Sequence, residues 1–122
     1  MQWCHGAPGI VTALAGAEPG NAELTRILVA GGNLVWRAGP LRKGAGLCHG
    51  TAGNGFAFLA LFHRTGDEVW LERARAFAMH AAAQVAAGGG RHTLWTGDIG
   101  AAVFVQRCLE ASERGFPTLD SW

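Results

Sequence analysis

The chain has 122 residues, of which 49% are hydrophobic and 16% charged, and its formal net charge is +1. This length allows one domain or part of one, and the near-neutral charge argues against nucleic acid or an acidic membrane as the main partner. No apolar run approaches the roughly 18 residues of a membrane span, and no basic segment followed by an apolar one opens the chain. We therefore expect a cytoplasmic protein.

Apolar residues recur at helical spacing along the chain, and no segment shows the alternation typical of a strand, so the sequence predicts an all-α fold. Short, almost wholly apolar helices alternate with longer amphipathic ones. The predicted helices cover residues 10–17, 22–37, 51–63, 68–87 and a last segment that ends near residue 109.

Turn residues separate these helices. Asn21 suits the N-cap of the second helix, and the Gly39-Pro40 pair ends it. Residues 41–46 form a short basic loop, residues 88–91 are a glycine-rich break, and residues 116–122 are expected to be an extended tail.

Three glycine-containing turns repeat along the chain. The pairs Gly6/Gly9, Gly50/Gly53 and Gly97/Gly100 align with spacings of 44 and 47 residues. Such a period is typical of helical-hairpin repeats, each with a buried inner helix and an amphipathic outer one. Hairpins of this kind bury their apolar faces by stacking side by side.

Two of the three turns carry a cysteine next to a histidine, at Cys4-His5 and Cys48-His49, whereas the third carries Trp95-Thr96. The hairpin itself therefore does not require the thiols. An odd number of cysteines without a secretion signal favours metal binding or free thiols over a disulfide framework. Cys108 differs, because its apolar helical surroundings indicate a small buried residue.

Equivalent turns of stacked hairpins lie at the same end of the inner helices, and zinc prefers thiolate and imidazole ligands. The positive helix N-termini also favour thiolates. From spacing alone, two interpretations stay open, namely a shared metal site and ordinary buried cysteine and histidine side chains.

Three motifs together resemble the C-terminal part of lanthionine synthetase C-like proteins, which comprise the bacterial lanthipeptide cyclases and their eukaryotic LanC-like relatives. The motifs are Trp3-Cys4-His5-Gly6-Ala7-Pro8-Gly9, Gly46-Leu47-Cys48-His49-Gly50-Thr51-Ala52-Gly53-Asn54 and Leu94-Trp95-Thr96-Gly97-Asp98. The resemblance implies an α/α toroid of seven helical hairpins, of which residues 1–122 would form about the last three. It also implies a zinc ion held by Cys4, Cys48 and His49, with the fourth position open to water or a thiol.

The chemistry implied by the resemblance is the addition of a thiol to dehydroalanine or dehydrobutyrine in a peptide. The thiol is a cysteine of the same peptide in the cyclases and glutathione in the eukaryotic relatives. By the same resemblance His5 either contacts a metal ligand or faces the substrate, rather than binding the metal itself. Lys43 either holds an anionic thiol substrate such as glutathione or is a solvated loop charge.

The family's catalytic histidine and aspartate lie on earlier hairpins that this chain lacks, and His63, His80 and His92 stand in the wrong context to replace them. We therefore name no catalytic residue and expect a fragment of a larger zinc enzyme, or a short protein that completes itself by association. Two alternatives are a non-catalytic, zinc-stabilised helical binding module and a helical solenoid without metal.

Overall fold

The computed structural model describes residues 1–88, 91–112 and 115–117. These residues form five helices and no named strand, so the all-α prediction is confirmed. The helices are α1 Ala7–Leu14, α2 Ala22–Ala38, α3 Thr51–Thr65, α4 Glu68–Ala87 and α5 Asp98–Glu110. Two residues of the predicted glycine break, 89 and 90, and residues 118–122 of the predicted tail lie outside the described part.

The outer helices begin at polar side-chain caps. The Asn21 Oδ1 atom accepts a hydrogen bond from the Leu24 amide at 2.9 Å, which confirms the predicted N-cap of α2. Asp67 caps α4 in the same way, through the Val69 amide at 3.1 Å. The helices α1, α3 and α5 instead follow a glycine and have no side-chain cap. The type of cap thus distinguishes the inner helices α1, α3 and α5 from the outer helices α2 and α4, the two kinds of helix that the repeat predicts.

The helices form an inner row of α1, α3 and α5 and an outer row of α2 and α4. Helix α3 packs against all four other helices, α2 also contacts α1, and α4 also contacts α5. Residues 51–59 of α3 are all buried, as predicted for an inner helix. In the described residues the third cycle consists of α5 without an outer partner.

Helix α1 differs most from its prediction, because it begins three residues earlier and ends at Leu14. The early start is possible since Pro8 lies in the first turn, where a missing backbone N–H breaks no helical hydrogen bond. The early end follows from Arg64 of α3, which donates to the carbonyl oxygens of Ala15 and Ala17 at 2.7 and 2.8 Å.

The prediction that α1 is a buried helix is also wrong in part. Val11 is 1% exposed, but Ile10 and Leu14 are 58% and 42% exposed. The physical reason is that α1 lies at the end of the inner row, where the described residues cover it only with α2 and α3.

A polar and aromatic contact joins the two outer helices. The Arg73 guanidinium of α4 lies over the rings of Trp36 and Trp70, at 5.2 and 4.6 Å from their centroids. It also donates to the Asn33 side chain of α2 at 2.7 Å. Such cation–π contacts are directional, so this one helps to hold the neighbouring hairpins side by side.

Candidate metal centre

The three glycine turns lie next to one another and are joined through their backbones. The Cys4 amide donates to the Cys48 carbonyl at 3.2 Å, and the Cys48 amide donates to the Trp95 carbonyl at 2.8 Å. Cys4, Cys48 and Trp95 are the equivalent positions of the three repeats. The stacking of the hairpins therefore sets equivalent residues beside each other, as the repeat predicts.

A close backbone approach recurs in each turn. A Cβ atom added to the third residue of each inner helix would lie about 2 Å from the carbonyl oxygen of the residue six positions earlier. These pairs are Gly9 with Trp3 at 2.0 Å, Gly53 with Leu47 at 1.7 Å, and Gly100 with Leu94 at 2.1 Å. Any side chain would displace the backbone there, so the glycines let each turn fold back over the start of its helix.

Cys4, Cys48 and His49 form a compact cluster at these turns. One potential ligand atom from each residue lies within 4.8 Å of the other two. A tetrahedral zinc ion with bonds of about 2.0 to 2.3 Å separates its ligands by about 3.3 to 3.8 Å, so the cluster needs only a small contraction to fit. Cys4 is exposed and the other two side chains are half-buried, which leaves one side of the cluster open to solvent.

The Cys48 thiol is harder to ionise than a free cysteine. The pKa of the Cys48 thiol is raised first by its burial, then by its hydrogen bond to Cys4 and by the charge that Cys4 carries as a thiolate. Two thiolates at this separation repel each other unless a cation lies between them. A metal ion between the two thiolates would offset this repulsion, and its binding would release protons.

His5 and Lys43, the two residues predicted to bind substrate, lie outside this cluster. The His5 Nδ1 atom is 3.1 Å from the Cys4 Sγ atom, and the His5 side chain is exposed. Lys43 is exposed on the loop before Cys48, and in the described part of the chain it makes no hydrogen bond or ion pair. His5 is thus placed to touch a ligand of the cluster, whereas Lys43 is free to meet a solute.

An aromatic cluster holds the turns together, and sequence reasoning did not predict it. The ring of Trp3 stacks on Phe116 with centroids 4.0 Å apart, and Trp95 lies 5.9 Å from both rings. Phe116 in turn packs on Phe56 of α3 at 5.0 Å. Trp3 and Trp95 each lie next to, or in, the position of a cysteine in the repeat. Because both tryptophans belong to the repeated motifs, an aromatic contact between the turns could have been predicted from them.

The remaining cysteine and histidines do not join the cluster. Cys108 is 1% exposed in the core, as predicted for a small buried residue, and burial raises the pKa of its thiol to about 12. His63, His80 and His92 are exposed, and among the described residues none of them belongs to a group that could hold a metal ion.

Comparisons with known proteins agree with the motifs. The chain is 42% identical over 83 residues to LanC-like protein GCL1 of Arabidopsis thaliana, across 66% of this chain and 19% of the relative. It is 34% identical over 131 aligned positions to glutathione S-transferase LANCL1 of Danio rerio, across 98% of this chain and 31% of the relative. The chain thus spans less than a third of the length of these relatives. None of its described helices is both long and apolar enough to cross a membrane.

The family model for lanthionine synthetase C-like protein matches residues 1–120, which is nearly the whole chain. The match includes both cysteine-histidine turns and the third turn without a thiol. This confirms the resemblance found in the motifs, and the chain belongs to the lanthionine synthetase C-like family.

Proposed function

We propose that residues 1–122 form the zinc-binding, C-terminal portion of a LanC-like enzyme that adds a thiol to dehydroalanine or dehydrobutyrine in a peptide. The observation that carries this proposal is the convergence of Cys4, Cys48 and His49 from two turns that are 44 residues apart in the sequence. Membership of the family supports the same reading.

The three residues have the donor chemistry that zinc prefers, namely two thiolates and one imidazole. Three protein ligands leave a fourth position open, which is the arrangement of catalytic rather than structural zinc sites. The solvent exposure of Cys4 fits this arrangement, because it leaves room for a further ligand on that side. Zinc bound there would stabilise the thiolate form of an incoming thiol at neutral pH.

Glutathione is the thiol that we propose. One relative is named a glutathione S-transferase, and it aligns with 98% of this chain. Lys43 offers an exposed ammonium group without a partner among the described residues, and glutathione carries two carboxylates. A lysine of this kind attracts an anionic solute more strongly than a neutral one.

In the reaction, the sulfur of the thiol forms a bond to the β-carbon of the dehydroamino acid, and the carbon–carbon double bond becomes single. The proton lost by the thiol balances the proton gained by the α-carbon, so no oxidant or reductant is needed. Within this chain, Cys4, Cys48 and His49 would hold the metal and Lys43 would orient the thiol substrate. His5, at 3.1 Å from Cys4, would face the substrate and restrain the thiolate of Cys4.

The first experiment is to measure the zinc content of the chain, purified without added metal, for the wild type and for Cys48→Ser. We expect about one zinc per wild-type chain and a loss of most of it in the variant. Cys108→Ala is the matched control, because this cysteine is buried away from the cluster and its removal should leave zinc unchanged.

Activity is tested by incubating the zinc-loaded chain with glutathione and a dehydroalanine peptide and following the mass of the adduct. An adduct formed above the uncatalysed rate would rule out the non-catalytic, zinc-stabilised binding module. Zinc binding without adduct fits that module and equally a portion of the enzyme that does not include the family's catalytic histidine and aspartate. Well-folded wild type without zinc would refute the metal site, and the family relationship would then describe ancestry alone.

A further inference from the structure

The basic loop that precedes the metal cluster carries two neighbouring cations, Arg42 and Lys43. Both side chains are exposed, and in the described part of the chain neither forms an ion pair or a hydrogen bond. Exposed cations on a mobile loop bind anions weakly, because ordering the loop costs conformational entropy. The way in which this loop is fixed therefore determines how well it can recognise a substrate.

Gln84, near the end of α4, contacts the start of this loop. Its Nε2 atom donates to the Leu41 carbonyl at 2.6 Å, and its Oε1 atom accepts from the Thr51 hydroxyl at 2.7 Å. The Thr51 hydroxyl oxygen accepts in turn from the Leu41 amide at 3.2 Å. The backbone amide of Leu41 is thus bound by Thr51 of α3, and its carbonyl is bound by Gln84 of α4.

The other end of the loop is held by Thr51 as well. The Thr51 amide donates to the Gly44 carbonyl at 2.9 Å, so Thr51 binds the chain on both sides of Arg42 and Lys43. Thr51 is fully buried and lies two residues after His49. The two cations and the metal-binding turn are therefore attached to the same rigid start of α3.

We propose that Gln84 is a positioning residue for the thiol substrate. Through Leu41 and Thr51 it holds Arg42 and Lys43 at a fixed place at the metal-binding end of α3, so that these cations meet the carboxylates of glutathione when its sulfur is at the metal. This inference rests on the proposed function. It adds a residue of α4 that touches neither the metal cluster nor the substrate.

The test compares Gln84→Leu with the wild type in the full zinc-loaded chain, by calorimetric titration with glutathione and with S-methylglutathione. The methylated form keeps both carboxylates but lacks a free thiol, so it reports on the cations rather than on the metal. We expect Gln84→Leu to weaken the binding of both ligands about tenfold, as expected for the loss of a short, partly buried hydrogen bond. Zinc content should stay near one per chain.

Gln106→Leu is the matched control. The Gln106 side chain is exposed on α5, and within the described residues its hydrogen-bond partner is Glu110 of the same helix, at 2.9 Å. Its replacement should leave the affinity for both ligands within twofold. If Gln84→Leu fails to fold, Gln84→Glu replaces it, because this variant keeps the acceptor for Thr51 but loses the donor to Leu41.

A double-mutant cycle separates positioning from a purely structural role. Removing both cations in Arg42→Met/Lys43→Met should itself weaken the binding of glutathione, and Gln84→Leu added to that variant should cause less than a further twofold loss, because Gln84 acts through these two cations. The inference would be overturned if the losses of affinity caused by the substitutions multiplied independently. It would also be overturned if Gln84→Leu lost its zinc or bound glutathione as tightly as the wild type. A wild type that binds zinc but no glutathione would overturn the proposed function, and this inference with it.

Discussion

Replacing Gly53 by alanine tests whether the close approach in the second turn fixes the residues that we propose to bind zinc. The new Cβ atom would lie 1.7 Å from the Leu47 carbonyl oxygen, whereas real Cβ contacts essentially never fall below 3.0 Å. The two atoms must therefore separate by at least 1.3 Å, the difference between these values. Leu47 directly precedes Cys48, so a movement of the Leu47 peptide also moves this proposed zinc ligand.

Two effects oppose each other in this variant. Alanine is favoured over glycine inside a helix by about 1 kcal/mol. Forcing a rigid backbone apart costs more, and we expect a net decrease of about 3 kcal/mol in the free energy of unfolding. For a chain of this length the total is only about 6 to 18 kcal/mol, so the decrease is easily measured. Zinc content should fall at the same time, because the Cys48 amide loses its 2.8 Å bond to Trp95.

The assay is urea denaturation followed by circular dichroism, together with zinc analysis of the folded protein. Gly16→Ala is the control, because nothing lies within 4 Å of its added Cβ, and its stability should change by at most about 0.5 kcal/mol. Gly100→Ala makes the corresponding clash with the Leu94 carbonyl oxygen in the third turn, at 2.1 Å, but its Cβ would also lie 2.6 Å from the Leu47 Cγ atom. It should therefore lose stability and some zinc, but less zinc than Gly53→Ala, because the Leu47 side chain can move more easily than the Leu47 backbone. If Gly53→Ala matched the wild type in both measurements, the reasoning about the turn would be refuted.

Three further changes test other parts of the fold. Arg64→Met should lower the free energy of unfolding by about 2 kcal/mol, because the carbonyls at the end of α1 lose their donors; thermal denaturation of this variant checks it, and an unchanged midpoint would contradict it. Phe116→Ala should cost about 3 to 5 kcal/mol and shift tryptophan fluorescence to longer wavelength, since Phe116 is 1% exposed and stacks on Trp3; unshifted emission would argue against the aromatic cluster. Burial raises the pKa of Cys108 to about 12, above its unfolded value, so its thiol contributes stability that is fully present below about pH 8.5 and is lost as the pH rises toward 12. Within that window the free energy of unfolding of the wild type should therefore fall by about 1.4 kcal/mol per pH unit more than that of Cys108→Ala. Denaturation of both proteins at about pH 8 and pH 10 checks this, and an equal decrease in the two proteins would contradict it.

Much of the fold could be predicted because helices are local structures. The apolar spacing of α4 and the cap at Asn21 are set by residues within a few positions of each other, and both predictions agree with the structure. The repeat of glycine turns was also visible, since each turn needs a residue without a side chain at the same place. From that repeat the neighbourhood of Cys4 and Cys48 follows.

Predictions failed where distant residues decide the outcome. The end of α1 depends on Arg64, which is 49 positions away from Ala15. The exposure of Ile10 depends on which helices cover α1. The pattern of apolar residues in α1 does not show which helices pack against it. The contacts of Gln84 with Leu41 join residues 43 positions apart, and glutamine in an amphipathic helix reads as an ordinary surface residue.

The sequence by itself determined the helices, their alternation, the three turns and the two residue types that suit a zinc ion, because these depend on local spacing and side-chain chemistry. Only the tertiary structure decided which atoms meet. The bond between the Cys4 amide and the Cys48 carbonyl sets the register between two turns and brings their thiols to one place. Such a register arises from the packing of whole helices. This packing depends on many contacts between residues that are distant in the sequence, so no short segment of the chain determines it.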